Sequence, residues 1–175
     1  MMKKAVAGFL TAAGMLVLGA CTTIDKAPSP VLERDAVWAV LPMVNHTEAP
    51  QAALKAEAIT EALLRNRGVK LKRYPASMSR DSLFEPSERK LVDEALAWAR
   101  TEGTRYALTG AVEEWRYKVG IDGEPAVGIT LQLLDVTSGE VLWNSAGGKT
   151  GWSRQGLAAV AQKLLKEMLA NIRLG

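Results

Sequence analysis

The spacing of apolar residues along the chain predicts alternating strands and helices. Apolar, β-branched and aromatic side chains fill 36–43, which indicates a buried strand. Apolar residues at helical spacing follow in 50–68, and 69–74 alternates apolar with polar positions, as a strand at a sheet edge does. A second helix is expected from residue 86 to Gly103. The first half of the chain therefore predicts the order β-α-β-α.

The second half of the chain predicts three successive strands and a final helix. The strands are expected at 105–119, 126–136 and 140–145. A hairpin turn at 137–139 joins the last two strands, and the helix covers 153–172. The complete order, β-α-β-α-β-β-β-α, predicts an α+β fold with one mixed β-sheet and packed helices. Residues 35–175 are expected to form a single domain.

The first 20 residues differ from the rest of the chain and predict a secretory signal peptide. Lys3 and Lys4 precede an apolar run that is too short to span a bilayer as a stable anchor. The run ends in Leu-Gly-Ala-Cys at Cys21, which resembles the lipobox of bacterial lipoproteins. This resemblance implies that residues 1–20 are removed and that Cys21 is acylated. The alternative is an ordinary signal peptide with an incidental cysteine.

Two features of the segment after Cys21 suggest where the mature protein lies. Thr22 stands where a signal for retention in the inner membrane would have Asp, so the lipobox resemblance implies sorting to the outer membrane. Residues 21–34 lack apolar periodicity and contain two prolines, which predicts a flexible tether between the lipid and the domain.

Charge gives no sign of a nucleic-acid partner. The chain carries 22 basic and 19 acidic side chains, for a formal net charge of +3. Removal of Lys3 and Lys4 with the signal peptide lowers this charge to +1. The mature chain is thus nearly neutral, and no nucleic acid is expected as a partner.

The stretch 143–156, WNSAGGKTGWSRQG, invites comparison with a nucleotide-binding loop. Its Gly148-Lys149-Thr150 matches the end of the phosphate-binding pattern G-x-x-x-x-G-K-[ST]. That pattern needs a glycine five positions before Gly148, where this chain has Trp143. The helix after the stretch is also the last element, so no parallel strand follows it to complete a βαβ unit. We therefore expect no nucleotide site.

Candidate catalytic residues are few. His46 is the only histidine, and a turn or capping role between the first strand and helix accounts for it. Glu113 and Glu114 are neighbours on a predicted strand, so their side chains should point to opposite faces and cannot form a glycosidase pair. No Asp/Glu cluster in the sequence has the spacing of a calcium loop. We expect no cofactor and no metal, and nothing argues for an enzyme.

Three segments carry a resemblance to a known group of proteins. Residues 37–45 (VWAVLPMVN), 105–112 (RYALTGAV) and 129–143 (ITLQLLDVTSGEVLW) resemble the domain shared by CsgG and the amino-terminal domain of TolB. With the lipobox, residues 115–128 and 151–154 are most similar to the PelC family, the outer-membrane lipoproteins of Pel exopolysaccharide export. The resemblance covers most of the mature chain.

This resemblance implies a structural role in transport, without catalysis. It implies a homo-oligomeric, dodecamer-like ring, held by outer membrane lipid at the periplasmic face of the cell outer membrane. The expected partners are a cationic exopolysaccharide of amino sugars and an outer-membrane polysaccharide pore protein. Two alternatives remain open, a CsgG-like lipoprotein that assists protein secretion and a periplasmic hydrolase.

The polymer-binding residues are expected among carboxylates that face the ring's lumen, because ring symmetry repeats each charge around one axis. Asp122 and Glu124 are the first candidates, since they lie in a loop between two predicted strands. Glu113 and Glu114 are the second candidates. Solvated surface charge is the alternative for all four residues.

Trp152 is expected to contact the membrane, with Lys149 and Arg154 beside it on a glycine-rich loop. Two alternatives remain open. In one, Ser153 caps the final helix and Trp152 packs on Leu157 as a hydrophobic staple; in the other, Trp152 forms a subunit contact. The remaining tryptophans are expected in the core or in subunit interfaces, and they are Trp38, Trp98, Trp115 and Trp143.

Overall fold

The computed structural model of the protein describes residues 21–75, 88–120 and 123–175. Within these ranges the elements are β1 (Thr22–Lys26), β2 (Val31–Leu32), β3 (Val37–Val40), β4 (Val44–Asn45), α1 (Ala52–Asn66), β5 (Lys70–Arg73), α2 (Glu88–Thr101), β6 (Tyr106–Tyr117), β7 (Pro125–Asp135), β8 (Val141–Thr150), α3 (Leu157–Leu169) and β9 (Arg173–Leu174).

One mixed sheet organises the described chain, as the sequence predicts. Its strand order is β1-β8-β7-β6-β3-β5, with β4 also paired to β6. Strand β3 runs parallel to β5 and β6, whereas β6, β7, β8 and β1 form an antiparallel series. Strands β2 and β9 form a separate parallel pair. The α+β prediction is confirmed.

Helices cover the two faces of the sheet unequally. The main core lies under α1 and α3 and contains the buried Trp38, Trp115 and Trp143. Helix α3 approaches β8 closely at Gly147, where a Cβ atom would lie 2.9 Å from Leu164 Cδ1 and 3.0 Å from Met168 Sδ. A larger residue at this position would push α3 away from the sheet.

Helix α2 packs on the opposite face and forms a second, smaller core. Alanines on both sides of this contact let the helix approach the sheet, and they include Ala95, Ala99, Ala39 and Ala107. The partly buried Trp98 packs edge-on against Tyr74, with ring centroids 5.4 Å apart. All four tryptophans expected inside the protein therefore contact its cores.

The turn and edge predictions are confirmed by backbone geometry and pairing. Gly139 has a positive φ of 76° in the β7–β8 turn, and its N–H donates to the Asp135 carbonyl at 2.8 Å. Strand β5 lies at one edge of the sheet. Its basic side chains are paired with acids from other elements, Lys70 with Asp35, Lys72 with Glu102 and Arg73 with Glu61.

The segment predicted to be a flexible tether differs from that expectation. Strand β1 pairs antiparallel with β8, and β2 pairs with β9 near the end of the chain. Ile24 is the physical reason for the first pairing, because its side chain packs against the main core while the backbone joins the open edge of β8. The sequence pattern missed this strand because a single inward-facing residue gives no periodicity.

The final helix and the strand before it also differ from prediction. Strand β8 continues through the glycines to Thr150 because β7 and β1 pair with it on both sides. Helix α3 begins at Leu157 with Gly156 as its N-cap, so Ser153 does not cap it. The prediction that Ser153 caps the final helix, on which the staple interpretation of Trp152 depended, is therefore wrong.

Glu57 on α1 is a buried carboxyl group, only 8% exposed. Its Oε1 accepts a hydrogen bond from the Met43 N–H at 2.8 Å, which ties the chain after β3 to the helix. Burial raises the pKa of Glu57, and the charge of Glu61 adds to this effect. The Met43 hydrogen bond and the charge of Arg73 act in the opposite direction. The ionised form is thus disfavoured in the folded state.

We expect Glu57→Gln to stabilise the protein at pH 7.5, since the amide oxygen can accept the same hydrogen bond without the cost of a buried charge. Because the pKa of Glu57 is raised in the folded state, its contribution to the free energy of unfolding is complete below the unfolded-state pKa. That contribution is lost as pH rises through the folded-state pKa. The gain should therefore vanish near pH 4. A gain of about 1 kcal/mol would raise Tm by about 2–4 °C in thermal unfolding.

The exposed Glu140→Gln is the matched control and should leave Tm unchanged at both pH values. A lower Tm for Glu57→Gln at pH 7.5 would contradict this account of the buried carboxyl.

Candidate functional site

Strand pairing brings Cys21 to the end of the sheet where Trp152 lies. The Thr150 N–H donates to the Cys21 carbonyl oxygen at 3.1 Å, and Cys21 itself is exposed. The Gly151 N–H then donates to the Pro125 carbonyl at 2.8 Å, so the chain stays on the sheet up to Trp152. We call this region, Cys21 with Thr150–Trp152, the anchor end.

Trp152 projects from a hydrogen-bonded turn at the anchor end. Its side chain is 47% exposed. The Trp152 N–H donates to Gln155 Oε1 at 3.1 Å, and the Gln155 N–H donates to the Trp152 carbonyl at 2.8 Å. The indole is thus presented to the surface by an ordered backbone. Arg154 in the same turn is also exposed.

Lys149 does not join this exposed surface, contrary to the prediction of membrane contact. Its ammonium group donates to Glu167 Oε1 at 3.0 Å and to Thr22 Oγ1 at 2.6 Å. Only 11% of its side chain is exposed. The reason is that residue 149 belongs to a strand, where side chains alternate between the two faces of the sheet. Lys149 lies on the face of β8 that α3 covers. The sequence analysis expected a loop here, and a loop does not determine which way a side chain points.

The tip of the β6–β7 hairpin adds apolar groups that the sequence analysis missed. Tyr117 is 51% exposed and Val119 is fully exposed. Lys118 Nζ donates to Thr150 Oγ1 at 3.1 Å, which places this tip beside the anchor end. An exposed aromatic residue at a strand end has no sequence signal that distinguishes it from a buried one.

Glu113 and Glu114 leave the sheet on the same face, so the prediction of opposite faces is wrong. Strand β6 contains a β-bulge: Val112 pairs with Ile129 and Glu114 pairs with Gly128, leaving Glu113 as the extra residue. A Cβ atom at Gly128 would lie 3.3 Å from Glu114 Cβ and 3.6 Å from Glu113 Cβ. A bulge breaks the alternation that the prediction assumed.

Each of these carboxylates has a basic neighbour. Glu113 Oε2 lies 2.9 Å from His46 Nδ1, and Thr130 Oγ1 donates to Glu113 Oε1 at 3.3 Å. Glu114 Oε1 accepts a hydrogen bond from Arg116 Nε at 2.8 Å. The side chains of Glu113 and Glu114 keep 44% and 34% exposure. They can therefore be reached by a ligand, although part of their field is compensated locally.

Two open cavities meet at Glu113. The larger, about 590 Å³, is lined by Thr47, Glu48, Ala49 and residues 113–116. The smaller, about 250 Å³, lies over the sheet face between β6 and β1 and includes Asp25, Thr130 and Gly148 among its lining residues. The sequence analysis selected neither of the acidic residues Asp25 and Glu48. Asp25 was missed because it fell within the expected tether.

Among the predicted polymer-binding carboxylates, Glu124 lies apart from Glu113 and Glu114. Asp122 lies outside the described residues. Glu124 is exposed, and its carbonyl accepts a hydrogen bond from the Lys118 N–H at 2.8 Å, close to the anchor end. Along β7 it is four residues from Gly128, the partner of Glu114, which is about 13 Å in an extended strand.

No group of three or more His, Cys, Asp or Glu side chains within residues 21–75, 88–120 and 123–175 could hold a metal ion. Across the same part of the chain, no helix has the length and apolar character needed to cross a membrane.

Comparison with known proteins identifies relatives of this arrangement. Residues 25–147 match the family model of the peptidoglycan-synthase activator LpoB. The PelC dodecamer from Paraburkholderia phytofirmans is 40% identical, with a TM-score of 0.75 over 89% of this chain and 99% of that one. A single-residue variant of the same dodecamer gives 0.76, again at 40% identity, with the same share of this chain and 100% of that chain.

A more distant structure shows the same fold. Lipoprotein GNA1162 from Neisseria meningitidis is 19% identical, with a TM-score of 0.56 over 73% of this chain and 91% of that chain. Among curated proteins, no sequence gives a significant match. The chain therefore belongs to the PelC family, and its residues 25–147 to the LpoB family.

Proposed function

We propose that this chain is a non-enzymatic lipoprotein of Pel-type exopolysaccharide export. It forms a periplasmic ring that guides a cationic amino-sugar polymer electrostatically to an outer-membrane pore protein. The observation that carries this proposal is the 40% identity to PelC over the whole length of that chain. The proposal involves two surfaces. Glu113 and Glu114 lie on one open face, and Cys21 is hydrogen-bonded to Thr150, two residues before Trp152.

The ring is supported by the dodecameric state of both matched PelC structures. A ring repeats each exposed carboxylate around one axis, so a nearly neutral subunit can still produce a strong axial field. It also presents many copies of each anchor to the bilayer, which multiplies weak membrane contacts.

We expect rings from the mature chain carrying Cys21→Ser, which removes the lipid without touching the described contacts. Negative-stain microscopy and light scattering at high protein concentration measure the assembly. A monodisperse monomer over the whole concentration range would contradict the ring.

The membrane surface in this proposal consists of acylated Cys21, Trp152 and Arg154 at the outer membrane, after residues 1–20 are removed as a signal peptide. It is supported by the hydrogen bond that holds Cys21 next to Thr150, two residues before Trp152. Half-exposed indole and a neighbouring cation suit the headgroup region of a bilayer. The exposed Tyr117 at the adjacent hairpin tip extends the same surface.

Trp152→Ala should weaken binding of the lipid-free Cys21→Ser protein to anionic phospholipid vesicles by about tenfold. This factor corresponds to about 1.4 kcal/mol of lost apolar burial. Vesicle sedimentation measures the binding, and Tm should change by less than about 2 °C because the indole is half exposed.

Val141→Ala is the control, since Val141 is 44% exposed at the opposite end of β8. It should leave vesicle binding unchanged. A large fall in Tm for Trp152→Ala with unchanged vesicle binding would assign the indole to internal packing instead.

The polymer surface in this proposal contains Glu113 and Glu114, with Glu124 nearer the hairpin tip. Asp122 remains a candidate from the sequence. The cavity beside the bulge is wide enough for a sugar unit, and Glu48 adds a further carboxylate to its wall. Carboxylates that remain partly exposed can pair with the ammonium groups of an amino-sugar polymer at little desolvation cost.

The double variant Glu113→Gln/Glu114→Gln should weaken binding of a chitosan oligosaccharide, used as a cationic amino-sugar probe, at least about threefold. Binding should also lose salt dependence between 50 and 300 mM NaCl, since fewer charges then contribute. Calorimetry on the assembled protein measures both effects.

Glu140→Gln serves as the control for charge removal away from the cavities. Asp122→Asn/Glu124→Gln, tested in parallel, separates the two candidate pairs. Unchanged affinity for both double variants would remove all four residues from the polymer surface.

The match to the LpoB family model favours a second candidate, activation of a peptidoglycan synthase. Two measurements together separate these functions. Stimulation of a purified peptidoglycan synthase by the lipid-free protein would support the second candidate, whereas failure to stimulate together with probe binding at Glu113 and Glu114 supports polymer export.

A further inference from the structure

Lys149 connects three elements that meet behind the anchor end. It lies on β8, its ammonium group contacts Thr22 on β1, and the same group forms an ion pair with Glu167 on α3. Thr22 and Lys149 are directly opposite each other in the strand register. A nearly buried ammonium must keep such partners, because leaving it unpaired would carry a large desolvation cost.

Apart from its backbone pairing with β8, which includes the Thr150 N–H to Cys21 carbonyl hydrogen bond, strand β1 has few side-chain contacts with the rest of the described chain. Of its five residues, four are exposed and only Ile24 packs against the main core. Ser145 Oγ donates to the Asp25 carbonyl at 3.0 Å, further from Cys21 than the Lys149 contact. A short exposed edge strand with one buried side chain belongs to the parts of a fold that open most easily. The contact at Thr22 therefore controls the end of β1 next to Cys21.

We propose that Lys149 is a positioning residue for the lipid anchor. By fixing Thr22 to β8 and α3, it holds Cys21 against the end of the sheet where Trp152 is exposed. Without this contact, β1 would separate from β8 more often, and the segment between Cys21 and β2 could then extend to about 30 Å. The domain could then move away from the bilayer while it remained acylated. This inference rests on the proposed acylation of Cys21 and membrane contact of Trp152.

The test uses the mature protein acylated at Cys21, in phosphatidylethanolamine–phosphatidylglycerol vesicles with and without brominated acyl chains. The first measurement is bromine quenching of Trp152 fluorescence, defined as the difference between each protein and its own Trp152→Phe counterpart. The second is the rate of trypsin cleavage after Lys26, an exposed residue of β1. Proteolysis reports how often the strand opens.

In Lys149→Met we expect cleavage after Lys26 to rise about tenfold and Trp152-dependent quenching to fall by at least half, while the protein stays vesicle-bound through its lipid. Glu167→Gln keeps the ammonium group and removes only the ion pair, so it should give a smaller change in the same direction. Lys163→Met, an exposed lysine on α3, should change neither measurement.

Each contrary outcome has a definite meaning. Unchanged cleavage after Lys26 in Lys149→Met, with far-UV circular dichroism confirming the fold, would overturn the proposal. Faster cleavage with undiminished Trp152 quenching would overturn the positioning role, because β1 would then open without moving the indole. Absence of Trp152-dependent quenching in the parent protein would instead contradict the proposed membrane contact, and Lys26 cleavage would still decide whether Lys149 holds β1.

Discussion

The close approach of α3 to β8 at Gly147 is the constraint on which the rest of the structure depends. Leu164 and Met168 occupy the space that any side chain at this position would need. Because the backbone of β8 stays extended beneath them, the strand reaches Thr150 with one edge paired to β7 and the other paired to β1. The contact that closes the main core thus also supports the strand that holds Cys21.

Placement of charge matters more in this protein than its net value. One inserted residue in β6 turns Glu113 and Glu114 toward the same side, where a regular strand would have separated them. His46 Nδ1 lies against Glu113, and Arg116 forms an ion pair with Glu114 that compensates part of its charge. The open face thus carries two neighbouring carboxylates, of which Glu114 already has a cationic partner in Arg116.

Periodic signals in the sequence predicted the helices, the central strands and the buried tryptophans, because burial on one face imposes a repeat. Local signals also succeeded at the β7–β8 turn, where Gly139 adopts a positive φ. Three of the failures share one physical origin. Pairing with a neighbouring strand determines strand β1, the β-bulge at Glu113 and the orientation of Lys149. Such pairing leaves no periodic pattern in the sequence of the segment itself. The sequence identified candidate-site residues by their chemical type. Which of them lie together became visible only from the strand pairing in the sheet.

The pairing of β1 with β8 leaves almost no slack between residue 21 and the folded domain. Under the proposed acylation of Cys21, this short connection would hold the domain close to the bilayer with the anchor end toward the lipid, which restricts the range of its tilt. Neighbouring copies would then meet with their axes already close to alignment, and assembly would become a search in two dimensions among subunits of similar orientation. A short edge strand can in this way determine the relative orientation in which two subunits meet, before they touch.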